Sequence, residues 1–254
     1  MVLNLYIEKH FLYYIMKKIT IKPFLNTHLE PVGSESTEKG IIPIYSLYYK
    51  VTYNRKSTQL KSYYSLGFSS LNEDEAKKVI AFESRILENI ISYEIELSPN
   101  EEYQVSGLKK KYSVYVLSIH NILDIYLRDK LRMITYKSKE HWHLAINFQT
   151  PSIYMSALVL HDMCQKLFTN FDALLNQPFK DQLESFKLYH QLFFLKQLKY
   201  DFATVIDWKN GTHKKELETR LKKILKNNSE EIAIVLNHID EMVMDKWEKS
   251  SKEY

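Results

Sequence analysis

The chain has 254 residues, 45% of them hydrophobic and 26% charged, which is enough for one or two domains and typical of a soluble globular protein. The net charge of +4 permits an anionic partner without requiring one. The single cysteine, Cys164, excludes an intramolecular disulfide and indicates a reducing compartment. No segment reaches transmembrane length without a charge, so we expect a cytoplasmic protein with no membrane partner.

Residues 1–15 look apolar, but Glu8, Lys9 and His10 interrupt them, which argues against a signal peptide or a membrane span. We interpret residues 1–16 as a possible extension or loosely packed arm, and an ordinary first strand or helix is an equal alternative. We predict a small β-sheet domain over residues 17–70 and an α-helical bundle over residues 71–254.

The sheet is predicted from period-two alternation. Residues 19–25 alternate and can form a strand, whereas residues 26–40 are rich in Gly, Ser, Thr, Glu and Pro and are predicted to form a loop. From residue 45 to 53, one face carries Tyr45, Leu47, Tyr49, Val51 and Tyr53, and the other carries Ser46, Tyr48, Lys50 and Thr52. A hairpin turn at residues 54–57, a return strand at 58–63 and a third strand at 64–68 complete a three-stranded antiparallel sheet.

The rest of the chain is predicted to be helical, which makes the fold mainly α. Ser70 to Glu73 has the pattern of a capping box, which would begin an amphipathic helix over residues 73–97. Further helices are predicted at residues 108–135, 151–175, 180–208, 212–226 and 229–247. Six long helices joined by short polar turns indicate an antiparallel bundle.

The sequence does not suggest a catalytic site or a cofactor. It has neither a Gly-rich phosphate loop nor a Gly-x-Ser-x-Gly elbow, and no nucleophile stands beside an obvious base. The nearest approach to a metal-binding pattern is the set His141, His143, His161 and Cys164. Zinc sites have tighter, paired spacing, so we interpret these as ordinary histidines and an inert cysteine, and we predict a protein that is not an enzyme.

The basic residues give the main functional hypothesis. Residues 39–72 contain five basic residues and no acidic one, and the predicted polar face and turn of the sheet carry Lys50, Thr52, Arg55, Lys56 and Lys61. A curved sheet with such a face can lie in the DNA major groove, which admits a two-stranded β-ribbon. The alternative is a solvated sheet whose lysines protect an edge. Lysines at residues 109–111 and along residues 214–226 are better explained as solvated charges.

The stretch from Pro43 to Lys56, together with Thr58 and Leu66-Gly67-Phe68, resembles the N-terminal arm-type DNA-binding domain of tyrosine recombinases of the phage-integrase type. The resemblance covers about residues 19–68. In that family a three-stranded sheet binds DNA, so the resemblance implies DNA contacts by Lys50, Thr52, Arg55, Lys56 and Lys61.

The recombinase reaction is not implied, because it requires a His-x-x-Arg motif and none of the five arginines lies three residues after a histidine. We therefore expect a non-catalytic protein that binds duplex DNA, such as an accessory or regulatory factor of a mobile element, whose bundle gives stability or forms a homo-oligomer. The alternative is an α-helical protein-interaction or structural protein with no role in nucleic-acid binding.

Overall fold

A computed structural model describes residues 19–38, 40–137, 155–194 and 201–252, with side chains up to residue 248. The possible extension at residues 1–16 lies outside the described residues. The chain divides after Val116 into two compact units, Met1–Val116 and Leu117–Tyr254. The sheet shares its unit with the first two helices, so the boundary predicted at residue 70 falls inside the first unit.

The sheet has five antiparallel strands rather than the predicted three. They are β1 (Ile19–Leu25), β2 (Gly33–Thr37), β3 (Gly40–Tyr53), β4 (Lys56–Lys61) and β5 (Gly67–Phe68). The fourteen-residue β3 is the central strand, because each of the other four pairs with it. The prediction of a strand over residues 19–25 is confirmed with the same bounds.

Strand β2 lies within residues 26–40, so the prediction of a loop there is wrong. All five residues of β2 are exposed, and the strand pairs only with residues 40–44 of β3. A strand that buries neither face needs no alternation of apolar and polar residues, and this removes the signal used to predict strands.

The turn between β3 and β4 is also tighter than predicted. It consists of Asn54 and Arg55, both with positive φ (48° and 65°), as in a two-residue type I′ hairpin turn.

The predicted apolar face of β3 is confirmed. Leu47, Tyr49 and Val51 are fully buried, and Leu60 of β4 and Phe68 of β5 lie on the same side. Gly67 allows a close approach at one end of this face. A Cβ atom at Gly67 would lie 2.4 Å from Cγ2 of Ile44 and 2.5 Å from Cγ2 of Val32, so no larger residue fits there without displacement.

In the described part of the first unit, the sheet is followed by two α-helices, α1 (Asp74–Leu97) and α2 (Leu108–Tyr115), and a 3-10 turn at Val105–Gly107 precedes α2. The predicted helix at residues 73–97 is confirmed. The capping box is only half formed, because Glu73 accepts a hydrogen bond from the Ser70 amide, whereas the Ser70 hydroxyl binds the Asn72 amide instead. On α1, the buried carboxylate of Glu83 accepts hydrogen bonds from the Ser62 hydroxyl and the Tyr63 amide, which ties the chain after β4 to the helix.

The described part of the second unit contains seven helices. They are α3 (Ile119–Lys137), α4 (Ala157–Leu167), α5 (Phe171–Leu174), α6 (Gln177–Phe193), α7 (Val205–Lys209), α8 (Thr212–Ile224) and α9 (Ser229–Lys252). Helix α3 contacts α4 and α6, and α9 contacts α3, α6 and α8. In the described residues, no helix is long and apolar enough to cross a bilayer.

Three of the predicted long helices are each divided. The predicted helix at residues 108–135 is interrupted at residues 116–118, because Leu117 accepts a hydrogen bond from the Val205 amide and Ser118 bridges to Thr204. The predicted helix at residues 151–175 is interrupted at Asn170, which has a φ of 62°. The predicted helix at residues 180–208 corresponds to α6 and α7. The helices predicted at 212–226 and 229–247 are confirmed as α8 and α9.

Buried polar groups in the second unit are paired around aromatic side chains. The Tyr189 hydroxyl lies 2.9 Å from Nε2 of His213, and Nε1 of Trp208 donates to Asp240 at 2.8 Å. His120 Nε2 and His190 Nδ1 lie 2.8 Å apart and link α3 to α6. Burial lowers the pKa of both His120 and His190, because it disfavours the charged imidazolium form. These hydrogen bonds connect α3 with α6, α6 with α8 and α7 with α9.

Candidate nucleic-acid interface

The face of the sheet opposite the core carries three rows of side chains. The register places residues of β1, β3 and β4 side by side. The rows are Thr20–Thr52–Ser57, Lys22–Lys50–Gln59 and Phe24–Tyr48–Lys61. We call these nine positions the open face. Successive residues of a strand point to opposite sides, so the alternation that buries Leu47, Tyr49 and Val51 also turns Lys50 and Thr52 outward.

The open face is cationic and contains no carboxylate. Lys22, Lys50 and Lys61 are exposed. Lys22 and Lys50 are direct neighbours across two strands, and like charges in this position destabilise a sheet. Among the described residues, none of these three lysines forms a salt bridge. The free protein therefore carries a charge repulsion that a bound anion would relieve.

Arg55 extends the positive charge beyond the three rows. It stands in the two-residue turn between β3 and β4, and its side chain is exposed. Thr52, in the row nearest this turn, is partly buried, and its hydroxyl is a possible hydrogen-bond donor to a phosphate. Four cations, Lys22, Lys50, Lys61 and Arg55, thus lie on the open face or at its end.

Lys56 lies on the other side of the sheet. It is the cross-strand partner of buried Tyr53, and partners in a ladder point to the same side. Its Nζ atom forms a salt bridge with Glu102 at 3.1 Å. Lys56 is therefore separated from Lys50, Thr52, Arg55 and Lys61, with which the sequence grouped it. Because the turn has two residues rather than four, Lys56 is already part of β4.

The structure adds Lys22 to the group that the sequence predicted. The alternation in residues 19–25 places Thr20, Lys22 and Phe24 on one face, but it does not reveal which residues of β3 they adjoin. The register supplies that information, since Lys22 pairs with Lys50. Phe24 and Tyr48 form an aromatic pair with ring centroids 5.8 Å apart, which gives the row beside Lys61 a partly apolar surface.

The possible metal ligands do not form a site in the described residues, where no group of three His, Cys, Asp or Glu side chains can hold an ion. His141 and His143 lie outside the described residues. His161 and Cys164 are both buried on α4, and burial raises the pKa of the Cys164 thiol to about 11. A thiol with this pKa is almost entirely protonated at pH 7, so Cys164 is inert as a nucleophile.

In the other basic segments, some of the charges are paired. On α8, Lys214 binds Asp240 at 2.5 Å, Arg220 binds Glu216 at 2.8 Å and Lys222 binds Glu218 at 2.7 Å. On α2, Lys111 forms an ion pair with Glu94. These pairs agree with the interpretation of both segments as solvated charges.

No protein-family model, no curated protein and no solved structure matches this chain.

Proposed function

We propose that this protein binds duplex DNA through the open face of its sheet, without catalysis. The observation that supports this most strongly is the row in which Lys22 lies beside Lys50 on a face that has no carboxylate. A phosphate between the two lysines would replace a like-charge repulsion with two attractive contacts.

Part of the open face suits the DNA major groove. The groove is about 12 Å wide and admits a two-stranded β-ribbon, so two neighbouring strands of the face can enter it. Lysine and arginine side chains neutralise phosphates, whereas Thr52 and Tyr48 can donate hydrogen bonds. Arg55 at the turn provides a cation at the end of the sheet, where it can reach the sugar-phosphate backbone or a base edge.

The resemblance of residues 19–68 to the arm-type domain of tyrosine recombinases supports the same proposal. An accessory or regulatory role in a mobile element is part of the proposal and rests on this resemblance alone. In this role the helices of the second unit would provide stability or a surface for self-association.

The test is a binding titration of the full-length protein with a duplex of mixed sequence at low salt. We expect binding by the parent protein, and weaker binding by Lys50→Ala, Arg55→Ala and Lys61→Ala. Lys109→Ala is a matched control, because this exposed lysine lies on α2 and not on the sheet. Absence of binding, or equal losses for all four variants, would refute the proposal.

A further inference from the structure

A second surface of the first unit has a net negative charge, whereas the open face is cationic. Strand β2 and the first part of β3 (residues 40–44) form a hairpin, and we call the sequence segment 29–44 that contains it the acidic hairpin. It carries Glu30, Glu35 and Glu38 against a single Lys39, so its net charge is −2. All three glutamates are exposed. This charge is unfavourable for contact with DNA or with an anionic membrane.

The acidic hairpin also exposes large apolar side chains. Ile41 is 76% exposed, Val32 55% and Leu29 54%. Ile42 is 38% exposed and is the cross-strand partner of Glu35, so a carboxylate and an apolar side chain stand together on one face. An isolated two-stranded hairpin is only marginally stable in water, and a partner surface would stabilise this one. That surface has to be basic and partly apolar.

The open face described above meets both requirements. It presents Lys22, Lys50 and Lys61 together with the aromatic pair Phe24 and Tyr48. We propose that the acidic hairpin of one molecule docks on the open face of a second copy of this chain. Charge complementarity favours the acidic hairpin as the ligand of the open face, because a hairpin of charge −2 meets a face that has three lysines and no carboxylate.

Each of two molecules can place its acidic hairpin on the open face of the other, which gives a closed symmetric dimer with two equivalent contacts. In this dimer the open faces of both copies are covered. Self-association would then compete with any other anionic ligand of the open face, including DNA. The proposal goes beyond DNA binding and does not depend on it, because the two contacts are made by the protein alone.

Sedimentation velocity of the full-length protein without DNA tests the proposal. We expect a concentration-dependent species of twice the chain mass that is lost as salt is raised, because exposed charges are screened. The hairpin variant Glu35→Lys/Glu38→Lys and the face variant Lys22→Glu/Lys50→Glu should each self-associate at least about tenfold more weakly. The control Lys109→Glu/Lys110→Glu, on α2, should associate like the parent protein.

The decisive step is to mix the hairpin variant with the face variant. In the mixed dimer a cationic hairpin meets an acidic face and an acidic hairpin meets a basic face, so association should return to the level of the parent. Ile42→Ser changes no charge and lies on the same side of the hairpin as Glu35, so it should weaken the parent dimer through the lost apolar contact. A parent protein that is monomeric at every concentration would overturn the proposal. So would variants that associate normally, or a mixture that stays monomeric.

Discussion

Replacing Lys22 by Gln separates the DNA-binding proposal from a purely structural sheet. In the free protein this change removes the repulsion between Lys22 and Lys50, so the free energy of unfolding should stay the same or rise by up to about 1 kcal/mol. In the complex it removes one phosphate contact, so DNA affinity should fall. A stability gain combined with an affinity loss is the expected signature of a residue positioned for an anion.

The magnitude follows from the four cations of the interface. With four phosphate contacts, the slope of log K against log salt is about −3.6, and affinity falls roughly 150-fold between about 50 and 200 mM salt. With Lys22→Gln the slope becomes about −2.7 and the loss roughly 40-fold over the same range. Fluorescence anisotropy of a labelled duplex measures both slopes, and urea unfolding measures the stability of each protein.

Lys56→Gln is the matched control for this experiment. Lys56 belongs to the same sheet as Lys22, but it lies on the opposite side and binds Glu102. Its removal should leave the salt slope at the value of the parent protein. If Lys22→Gln keeps the parental slope, or if Lys56→Gln lowers the slope equally, the assignment of the open face as the DNA surface is refuted.

Three further predictions concern packing and buried groups. Gly67→Ala should lower the free energy of unfolding by about 1–3 kcal/mol, because its Cβ would overlap two methyl groups, whereas Gly33→Ala has open space and should change it by less than about 0.5 kcal/mol in urea titrations. Burial lowers the pKa of His120 and His190 in the folded protein below the unfolded value of about 6.5. As the pH falls below that value, the unfolded chain binds protons more readily than the folded protein, so the free energy of unfolding should decrease. The buried Cys164 thiol should resist iodoacetamide at neutral pH in the native protein and react after unfolding in urea, as mass spectrometry would show.

Each of these three predictions would be contradicted by a specific result. Equal stability of the Gly67→Ala and Gly33→Ala proteins would show that the methyl groups beside Gly67 move aside freely. For the histidines, unfolding free energies at about pH 7 and pH 5 should differ less in His120→Gln than in the parent, and equal differences would contradict the burial argument. Labelling of Cys164 in native protein at the rate of an exposed thiol would contradict its burial.

The sequence predicts the central strand and its buried face well. The alternation from Tyr45 to Tyr53 is detected because Leu47, Tyr49, Val51 and Tyr53 pack in the core, whereas Lys50 on the other side is exposed. Ser46 is buried although it lies on the side of Lys50. Strand β2 has no such signal, because all its residues are exposed. Its pairing partner, the first part of β3, is exposed from residue 40 to residue 43, so neither half of the hairpin has an alternating burial pattern.

The register of the sheet explains what could be predicted of the site. Lys50, Thr52 and Lys61 follow from alternation alone, whereas the position of Lys22 requires the pairing of β1 with β3. Alternation within a strand does not specify its neighbour, so Lys22 could not be assigned from the sequence. Lys56 was misplaced because the side on which it points depends on whether the turn has two or four residues.

The helix breaks were missed for a similar reason. Residues 116–118 contain neither Gly nor Pro, and the break there is fixed by hydrogen bonds to residues almost ninety positions later in the chain. Contacts so distant along the chain leave no local pattern. Where the helices carry continuous apolar faces and end at polar turns, as in α1, α8 and α9, the predicted bounds agree with the structure to within a few residues.

The most direct test of the central claim is the salt dependence of DNA binding by the unmodified full-length protein. At protein concentrations too low for self-association, we predict binding to duplex DNA at about 50 mM salt with a slope of log K against log salt between about −3 and −4, which corresponds to the four cations of the open face and its turn. Undetectable binding at that salt concentration, or binding that does not change as salt is raised, would contradict the account.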